Sequence, residues 1–471
     1  MIKFGTDGWR GIIAKDFTFE NLSMVALATA NYVIKNQLKP TKQAATVIGY
    51  DTRFLSKEFA HEAARVFASQ GVLVHLTETF ASTPQVSFHT KQKGAEIGVV
   101  ITASHNPAEY NGYKLKANFG GPATPEQVAE VEKELSTITK SKVAQLKLEP
   151  FEDYVKSKRI RLFNPRESYI RLIKKKINVD AIRDANLRIV LDPMYGAGMN
   201  TLQVLLPDLV EIHNHYNPGF GELDHPEPIA EHLYPLKDKV IDEKFDIGLA
   251  TDGDADRLGV IDSDGEFVDS HFVYMILLKY LYEKKRKRGV VVKTVSLTSM
   301  VDAYCNAKGL ELIETPVGFK YVAELMAERN VLIGGEESGG LGTILHIPER
   351  DGLFNAMLLL EVMVTRKMTL QELCKELEEE LGQHRYMRKD IRVTPAQKKA
   401  ILAAAEKRPD RLGNNPVLDV STKDGYKFFI ENGWLLIRPS GTEPLIRFYA
   451  EADSIGKVIE LIEEGTKMTK V

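Results

Sequence analysis

The most constraining feature of this sequence is a repeated alternation between short runs of β-branched residues and longer amphipathic stretches. The runs are continuously apolar, which is typical of strands buried on both faces of a parallel sheet. Stretches with helical spacing follow, for example residues 56–70 and 125–140. The alternation predicts α/β layers with right-handed crossovers, in which ligands bind beyond the carboxyl ends of the strands. The runs and their polar ends occupy residues 45–53, 96–107, 187–198, 245–257 and 289–299.

The pattern recurs about three times between residues 1 and 375, which predicts three similar α/β domains. It changes after the acidic helical stretch 370–381, where 385–393, 434–438 and 446–450 are strand-like and 395–407 is helical. The final part therefore reads as a small α+β domain, joined through a linker near residues 382–388.

The charges nearly cancel, with 62 Lys and Arg against 65 Asp and Glu, so the net charge is −3. This balance argues against a nucleic-acid binder that works by bulk electrostatics and against a polybasic membrane protein. Cys305 and Cys374 are too few for a disulfide framework, which favours a reducing compartment. The N-terminus has no signal-peptide pattern, and the longest apolar runs are far shorter than the ~20 residues that cross a bilayer. We therefore expect a cytoplasmic protein.

The loop TASHNP, residues 102–107, follows an apolar run and consists of small and turn-forming residues. A serine at a strand end can present its hydroxyl into a crevice, so Ser104 is a candidate for covalent chemistry. His105 is a weaker candidate for its base, because adjacent residues in a turn rarely point the same way. On these residues alone, a purely structural turn remains an equal alternative.

The segment DGDADR, residues 252–257, places carboxylates at alternate positions of a loop, where Asp252, Asp254 and Asp256 can converge on one hard cation. A calcium-binding EF-hand loop starts in the same way but needs Gly at its sixth position and Glu at its twelfth, where this chain has Arg257 and Ser263. Three protein oxygens leave coordination positions open for a phosphate, which suits Mg²⁺. A solvated acidic turn is a poor alternative, because like charges this close repel.

A glycine-rich loop, GGEESGG at residues 334–340, holds two carboxylates and a hydroxyl between glycines. Glu336 and Ser338 can therefore exchange hydrogen bonds with vicinal sugar hydroxyls. Taken alone the signal is weak, because a tight turn with exposed acids has the same composition.

The segment RPSGTEP, residues 438–444, concentrates arginine, hydroxyls and glycine, and Arg447 follows it. Arg438 can grip a phosphate bidentately, and Ser440, Thr442 and the backbone around Gly441 can complete an anion-binding nest. An ordinary turn between strands is the alternative. Three single cations, Arg10, Lys114 and Lys320, also lie in loop-like contexts, although each would more often be a surface residue.

Together these loops supply a serine, a cation site, a sugar-hydroxyl site and a phosphate site, which favours phosphoryl transfer on a sugar. The chain has no G-x-x-x-x-G-K-[ST] loop, which argues against a kinase of the P-loop kind, and no isolated G-x-G-x-x-G fingerprint of a dinucleotide enzyme.

At this point the sequence resembles the α-D-phosphohexomutase family, the phosphoglucomutases and phosphomannomutases. The resemblance covers essentially the whole chain, from FGTDGWRG at 4–11 through TASHNP, DGDADR and GEESGG to RPSGTEP, in the order of the family. It implies three related α/β domains with mixed or parallel sheets around a central cleft, plus a smaller C-terminal α+β domain. The domain ranges that we predict are 1–152, 153–258, 259–380 and 381–471.

The resemblance also implies a role for each loop. Ser104 would carry a phosphoryl group, and Mg²⁺ would be bound by that phosphoserine with Asp252, Asp254 and Asp256. Arg10, Lys114 and Lys320 become candidates for proton transfer or charge stabilisation, and Arg257 would contact the phosphoserine region. The implied sugar-binding residues are Glu336, Ser338 and Gly318, and the implied phosphate-binding residues are Arg438, Ser440, Gly441, Thr442 and Arg447.

The activity implied is the interconversion of hexose 1-phosphate and hexose 6-phosphate through a bound hexose 1,6-bisphosphate, which also acts as activator. Glu337 and Gly340 stand where similar dual-specificity mutases have Met and His, so we expect glucose phosphate as the favoured substrate and mannose phosphate as a second one. The alternatives are a phosphomannomutase, a phosphoglucosamine mutase, a metal-dependent phosphatase that forms phosphoserine, and a silent sugar-phosphate-binding paralogue. We expect small sugar phosphates as the only partners, and a monomer or homodimer.

Overall fold

The computed structural model describes residues 2–5, 7–38, 41–440 and 444–468. These residues fold into domains that each carry a β-sheet of their own, with α/β architecture in the first parts of the chain and a smaller C-terminal unit. The predicted fold class is thereby confirmed. Within the described ranges, no helix has both the length and the apolar character needed to cross a bilayer.

The first domain packs helices against both faces of a mixed sheet. Its elements are β1 (Trp9–Ile12), α1 (Phe19–Lys35), β2 (Ala45–Tyr50), α2 (Ser56–Ser69), β3 (Leu73–Thr77), α3 (Thr83–Lys93), β4 (Ile97–Ile101), β5 (Tyr110–Ala117), α4 (Pro125–Leu135), α5 (Lys140–Ala144), α6 (Phe151–Lys156) and β6 (Ile160–Phe163). The strand order is β1-β5-β4-β2-β3-β6, with a parallel centre of β4, β2 and β3. Residues 102–107 therefore leave the carboxyl end of a central buried strand.

Two details of this domain differ from the expectation. The helix predicted over 125–140 ends at Leu135. A second short helix begins at Lys140, where Thr139 is the N-cap and accepts a hydrogen bond from the backbone N–H of Lys142. The predicted boundary after residue 152 lies before β6, which pairs in parallel with β3. The first sheet therefore extends to Phe163, because an edge strand is added after the last helix.

The second domain is a smaller mixed sheet with strand order β11-β10-β9-β7-β8. Its elements are α7 (Arg166–Lys176), α8 (Val179–Asp184), β7 (Ile189–Asp192), β8 (Val210–Glu211), α9 (Tyr234–Glu243), β9 (Ile247–Thr251), β10 (Leu258–Asp262) and β11 (Phe267–Val268), with short 3-10 turns at Leu202–Val204 and Ala230–His232. The segment DGDADR is the turn that joins β9 to its antiparallel partner β10. The predicted boundary after residue 258 therefore falls within β10, which continues this sheet rather than starting the next one.

The third domain has strand order β13-β12-β14-β15. Its elements are α10 (Ser270–Lys279), a π-helical turn (Tyr280–Lys284), β12 (Val290–Thr294), α11 (Met300–Lys308), β13 (Leu312–Thr315), α12 (Phe319–Glu328), β14 (Val331–Gly335), β15 (Leu341–Thr343), α13 (Gly352–Arg366) and α14 (Leu370–Leu381). One apolar core joins it to the second domain, because helix α13 packs on both. The glycine-rich loop connects β14 to β15 at the carboxyl end of β14.

The C-terminal domain is an antiparallel sheet, β16-β22-β21-β20-β19, with helices on one face. Its elements are β16 (Arg385–Arg392), α15 (Pro395–Glu406), β17 (Arg411–Leu412), β18 (Asn415–Pro416), β19 (Asp419–Ser421), β20 (Tyr426–Ile430), β21 (Gly433–Pro439), β22 (Leu445–Ala452) and α16 (Ile455–Lys467). The strand predicted over 385–393 is present as β16, which pairs with β22 along its whole length. The linker that we predict near 382–388 is therefore strand from Arg385 onward.

The helix-free face of this sheet docks on the third domain through a buried carboxylate. Glu451 accepts hydrogen bonds from the backbone N–H of Ser299 (2.9 Å) and the indole of Trp434 (3.3 Å), and it pairs with His384 (3.2 Å). Lys427 donates to the backbone carbonyl of Val295 (2.7 Å). The position of the C-terminal domain is thereby fixed by contacts and not only by its connecting peptide.

Candidate active site

The loop that carries Ser104 is held by one buried arginine from the first domain. Arg53, which follows β2, donates to the backbone carbonyls of Ser104 (2.6 Å), Asn106 (2.5 Å), Pro107 (2.8 Å) and Tyr110 (3.1 Å). Ser104 itself adopts a left-handed backbone conformation with φ of 55°. Such a conformation is unfavourable for a residue with a side chain and persists only where the surroundings impose it, which is common at functional sites.

The Ser104 hydroxyl points across the domain boundary at the carboxylate loop. Its Oγ donates to Asp252 Oδ2 at 2.9 Å, and the Nδ1 of His105 lies 3.4 Å away. The expectation that His105 would point elsewhere is therefore wrong. Burial holds the pKa of His105 well below its usual value, so its imidazole is neutral.

Asp252, Asp254 and Asp256 do converge, as the alternating spacing predicts. Their carboxylate oxygens lie within 4.8 Å of one another and all three side chains are fully buried. Asp254 Oδ1 and Asp256 Oδ1 are buried without a hydrogen-bond partner among the described residues. Buried carboxylate oxygens without a partner are costly unless a cation or proton binds them. These donors fit a hard divalent cation, and Ser104 lies beside the same group.

The three carboxylates respond differently to their surroundings. Burial and the neighbouring charges of Asp256 and Asp254 raise the pKa of Asp252 well above its usual value. Burial acts in the same direction on Asp254, but the ammonium of Lys114 outweighs it and holds that pKa below its usual range. The ionised form of Asp252 is thus opposed by burial and by the neighbouring carboxylates, and a bound cation would favour it.

Lys114, which the residue pattern alone reads as a surface cation, is buried in the middle of the site, where the resemblance implies a role for it. Its ammonium contacts Asp254 at 2.8 Å, Asp7 at 2.9 Å and Asp256 at 3.4 Å. These carboxylates raise the pKa of Lys114 although burial opposes the change. Arg350 completes the group by donating to Asp256 (2.6 Å) and Asp7 (2.9 Å).

The other predicted cations occupy different places. Arg10, on β1, donates to the side-chain oxygen of Asn106 and so reaches the Ser104 loop. Arg257 donates to Glu227 (2.7 Å) and its backbone N–H bonds Asp252 (3.0 Å), so it lies at the carboxylate loop. Lys320 is in the first turn of α12, with its ammonium 5.0 Å from the ring centre of Tyr321, and no described contact joins it to the Ser104 cluster.

The glycine-rich loop borders this cluster through Arg350. Glu336 is nearly fully buried and lies 3.4 Å from the Arg350 guanidinium, yet burial raises the pKa of Glu336 to about 7. A Cβ at Gly340 would lie 2.3 Å from Arg350 Cδ, so the arginine occupies the space of a side chain. Ser338 is half-buried in the turn, and Gly318, with φ of 135°, precedes α12 in a conformation open mainly to glycine.

The predicted phosphate loop begins at the end of β21 in the C-terminal sheet. Arg438 donates to Asp424 at 2.7 Å, and across the strands it is paired with Arg447, whose Nε lies 3.4 Å from Asp390. The Ser440 carbonyl accepts from Lys398 at 2.6 Å. Gly441 and Thr442 lie outside the described residues.

Comparison with known proteins matches every domain in turn. Residues 1–142, 167–265 and 269–381 match the alpha/beta/alpha domains I, II and III of phosphoglucomutase/phosphomannomutase, and residues 388–465 match its C-terminal domain. The chain belongs to the phosphoglucomutase/phosphomannomutase family. This confirms the resemblance to the α-D-phosphohexomutases that the loop motifs indicate.

The relatives of this chain are named for different hexose phosphates. A phosphoglucomutase/phosphomannomutase of Thermococcus kodakarensis is 31% identical, over 99% of this chain and 98% of that protein. A Pyrococcus abyssi protein with the provisional name phosphoglucosamine mutase is 34% identical, over 99% and 97%. The crystal structure of a Thermus thermophilus protein with a provisional phosphomannomutase name has a TM-score of 0.86 and 32% identity, over 100% of this chain and 99% of that one. The mutase family is shown, whereas its members differ in the hexose.

Several residues of this phosphohexomutase site were missed by the sequence analysis. Arg53, Thr83 and Arg350 each lie outside the loop motifs in sequence, and Arg53 ends the apolar run 45–53, which was a signal for it. Thr83 bonds Asp254 at 2.5 Å. Glu227 gave no signal of its own. Asp7 lies within FGTDGWRG, residues 4–11, where an acid beside two glycines and an arginine is a pattern that could have indicated it.

Proposed function

We propose that this protein interconverts hexose 1-phosphate and hexose 6-phosphate, with glucose phosphate favoured, through a phosphoserine at position 104 and a bound hexose 1,6-bisphosphate. The observation that carries the proposal is the contact of 2.9 Å between Ser104 Oγ and Asp252. It places a strained, buried serine directly on a cluster of carboxylates that needs a cation. A turn that is only structural has no need for this contact.

The cation proposed is Mg²⁺, held by Asp252, Asp254, Asp256 and the phosphoserine. When bound it neutralises charge on the phosphoryl oxygens, which is the main requirement of phosphoryl transfer. The support for it is the pair of unpartnered oxygens on Asp254 and Asp256.

The cationic residues then have separable roles. Lys114 stays protonated between its carboxylates, so it stabilises charge and does not act as a base. The neutral imidazole of His105 lies 3.4 Å from Ser104 Oγ, beside the transferred group, and Asp252 accepts from the same oxygen at 2.9 Å. Arg438, Ser440 and Arg447 hold the phosphate that does not react, and Glu336 and Ser338 hold sugar hydroxyls.

Glucose phosphate is favoured because the space at Gly340, where dual-specificity mutases have a histidine, is filled here by Arg350. Mannose phosphate is the second substrate proposed. The unpaired thiols of Cys305 and Cys374 support a cytoplasmic location.

The Ser104→Ala variant tests the phosphoserine. We expect loss of turnover with glucose 1-phosphate, Mg²⁺ and glucose 1,6-bisphosphate, while Ser136→Ala, an exposed helix-end serine, keeps the wild-type rate. Intact-mass analysis of active protein should show one phosphate that maps to Ser104. A Ser104→Ala variant with near-wild-type turnover contradicts the mechanism.

The hexose is tested by comparing kcat/KM for the 1-phosphates of glucose, mannose and glucosamine. The proposal expects the highest value with glucose and a lower one with mannose. A preference for glucosamine would instead place this chain with the relatives named phosphoglucosamine mutase, and preference for mannose would make it a phosphomannomutase.

A further inference from the structure

A segment that no motif pointed to, HPEP at residues 225–228, packs directly against the carboxylate loop. The backbone carbonyl of Pro226 accepts a hydrogen bond from Gly253 at 3.3 Å. A Cβ added at Gly253 would lie 2.4 Å from the Ser104 carbonyl and 3.1 Å from Pro226 Cγ. The carboxylate loop is thus enclosed between the Ser104 loop and this segment.

Glu227 is the side chain that the segment contributes to the cleft. Its Oε1 accepts from an Arg257 terminal nitrogen at 2.7 Å, and its Oε2 lies 3.4 Å from His225 Nε2. Only 16% of the Glu227 side chain and 12% of the Arg257 side chain are exposed. A buried charge pair of this kind fixes the orientation of a guanidinium, because its planar fork bonds in few directions.

Arg257 has donating capacity left over after this contact. Its Nε is buried and has no hydrogen-bond partner within the described ranges. The backbone N–H of Arg257 bonds the same Asp252 that accepts from Ser104. The Arg257 side chain therefore leaves the backbone next to the serine.

We propose that Glu227 is a positioning residue, which holds Arg257 so that its unpartnered Nε–H faces the phosphoryl group on Ser104. The inference rests on the proposed function, since it needs a phosphoryl group at that serine. Glu227 does not touch the substrate and acts only through Arg257. An unpaired arginine there would lose its fixed direction and with it the alignment that catalysis requires.

A double-mutant cycle tests the proposal. We expect Glu227→Ala to lower kcat roughly 10- to 100-fold while KM changes less than about threefold, because alignment is lost and substrate binding is not. In an Arg257→Ala background the same change should cost less than about threefold, since nothing remains to be positioned. Glu227→Asp should recover part of the loss. Glu231→Ala, an exposed acid in the next turn, is the matched control and keeps the wild-type kcat.

A crystal structure of ligand-free Glu227→Ala gives a readout that does not depend on turnover. The proposal expects the Arg257 guanidinium to move by more than about 1 Å, a displacement sufficient to cost about 100-fold in rate. If Glu227→Ala does not fold, Glu227→Gln, which keeps the shape and removes the charge, serves in both arms. Equal losses in both backgrounds, an effect on KM alone, or an unmoved Arg257 would each overturn the proposal. If the wild-type protein shows no mutase turnover, the proposed function is refuted. The position of Arg257 in the Glu227→Ala crystal structure then decides by itself whether Glu227 holds it.

Discussion

Gly340 and Arg350 share one space: a side chain at Gly340 would begin 2.3 Å from Arg350 Cδ. The arginine that fills this space bonds Asp256 and Asp7 and approaches Glu336, so it ties the glycine-rich loop to the carboxylate cluster. The absence of a side chain at Gly340 is therefore a condition for the charge arrangement around Lys114.

Gly340→His should therefore damage the enzyme and not broaden its substrate range. Forcing a ring into the space of Arg350 costs about 1–3 kcal/mol of strain and displaces a guanidinium from two carboxylates. We expect kcat/KM for glucose 1-phosphate to fall roughly tenfold to a hundredfold. Gly456→His, at an open position in α16, is the control and should leave it unchanged. A gain in mannose 1-phosphate turnover without loss on glucose would contradict this.

Removal of the cation should abolish turnover. EDTA is expected to stop the reaction and added Mg²⁺ to restore it. Because Asp254 bonds both Lys114 and Thr83, Asp254→Asn should also cost roughly 100- to 1,000-fold in kcat, an electrostatic loss of the usual size. Asp264→Asn, in the turn after β10 and remote from the cluster, should have no effect. Full activity in chelator would exclude the metal site.

Arg438→Ala tests the phosphate loop. Loss of a charge-assisted pair with phosphate should cost about 2–4 kcal/mol, or about 30- to 1,000-fold in kcat/KM. We expect a higher KM, early release of hexose 1,6-bisphosphate and a stronger need for added bisphosphate, measured by coupled assay and by mass spectrometry of the released intermediate. Phosphorylation of Ser104 by added bisphosphate should survive. The control is Arg411→Ala, an exposed arginine of the same domain; if KM and bisphosphate dependence do not change, the phosphate is bound elsewhere.

Stability should depend on pH through Glu336. Its pKa is about 7 in the folded protein against an ordinary value of 4.5, so between these pH values the folded state holds a proton that the unfolded state has lost. Glu336 therefore destabilises the fold increasingly as pH rises from about 4.5 to about 7, by up to about 3 kcal/mol. Relative to wild type, Glu336→Gln should gain melting temperature over this range, measured by scanning calorimetry without metal. Glu328→Gln, exposed on α12, should show no such trend.

The loops that carry the candidate site residues could be predicted, because each concentrates polar, charged and glycine residues in a short segment at the end of an apolar run. Asp252, Asp254 and Asp256 meet because they alternate within one short loop. Ser104 lies in the loop that directly follows the apolar strand β4. Arg53 and Arg350 were missed because a single cation carries no pattern of its own, although Arg53 ends the apolar run 45–53. The strand β16 could be predicted, because residues 385–393 are strand-like in sequence. Its pairing with β22 could not, because the partner strand lies about 60 residues later and a register formed at that distance leaves no local pattern.

The docking of the C-terminal sheet has a consequence for protein engineering. Glu451 is anchored by Ser299 and Lys427 by Val295, so half of each contact belongs to the third domain. A chimaera that replaces only residues 385–468 with those of a relative would leave Ser299 and Val295 facing a foreign sheet. The C-terminal sheet is therefore not a module that can be transplanted by itself, and phosphate loops exchanged between mutases should travel with the domain on which they dock.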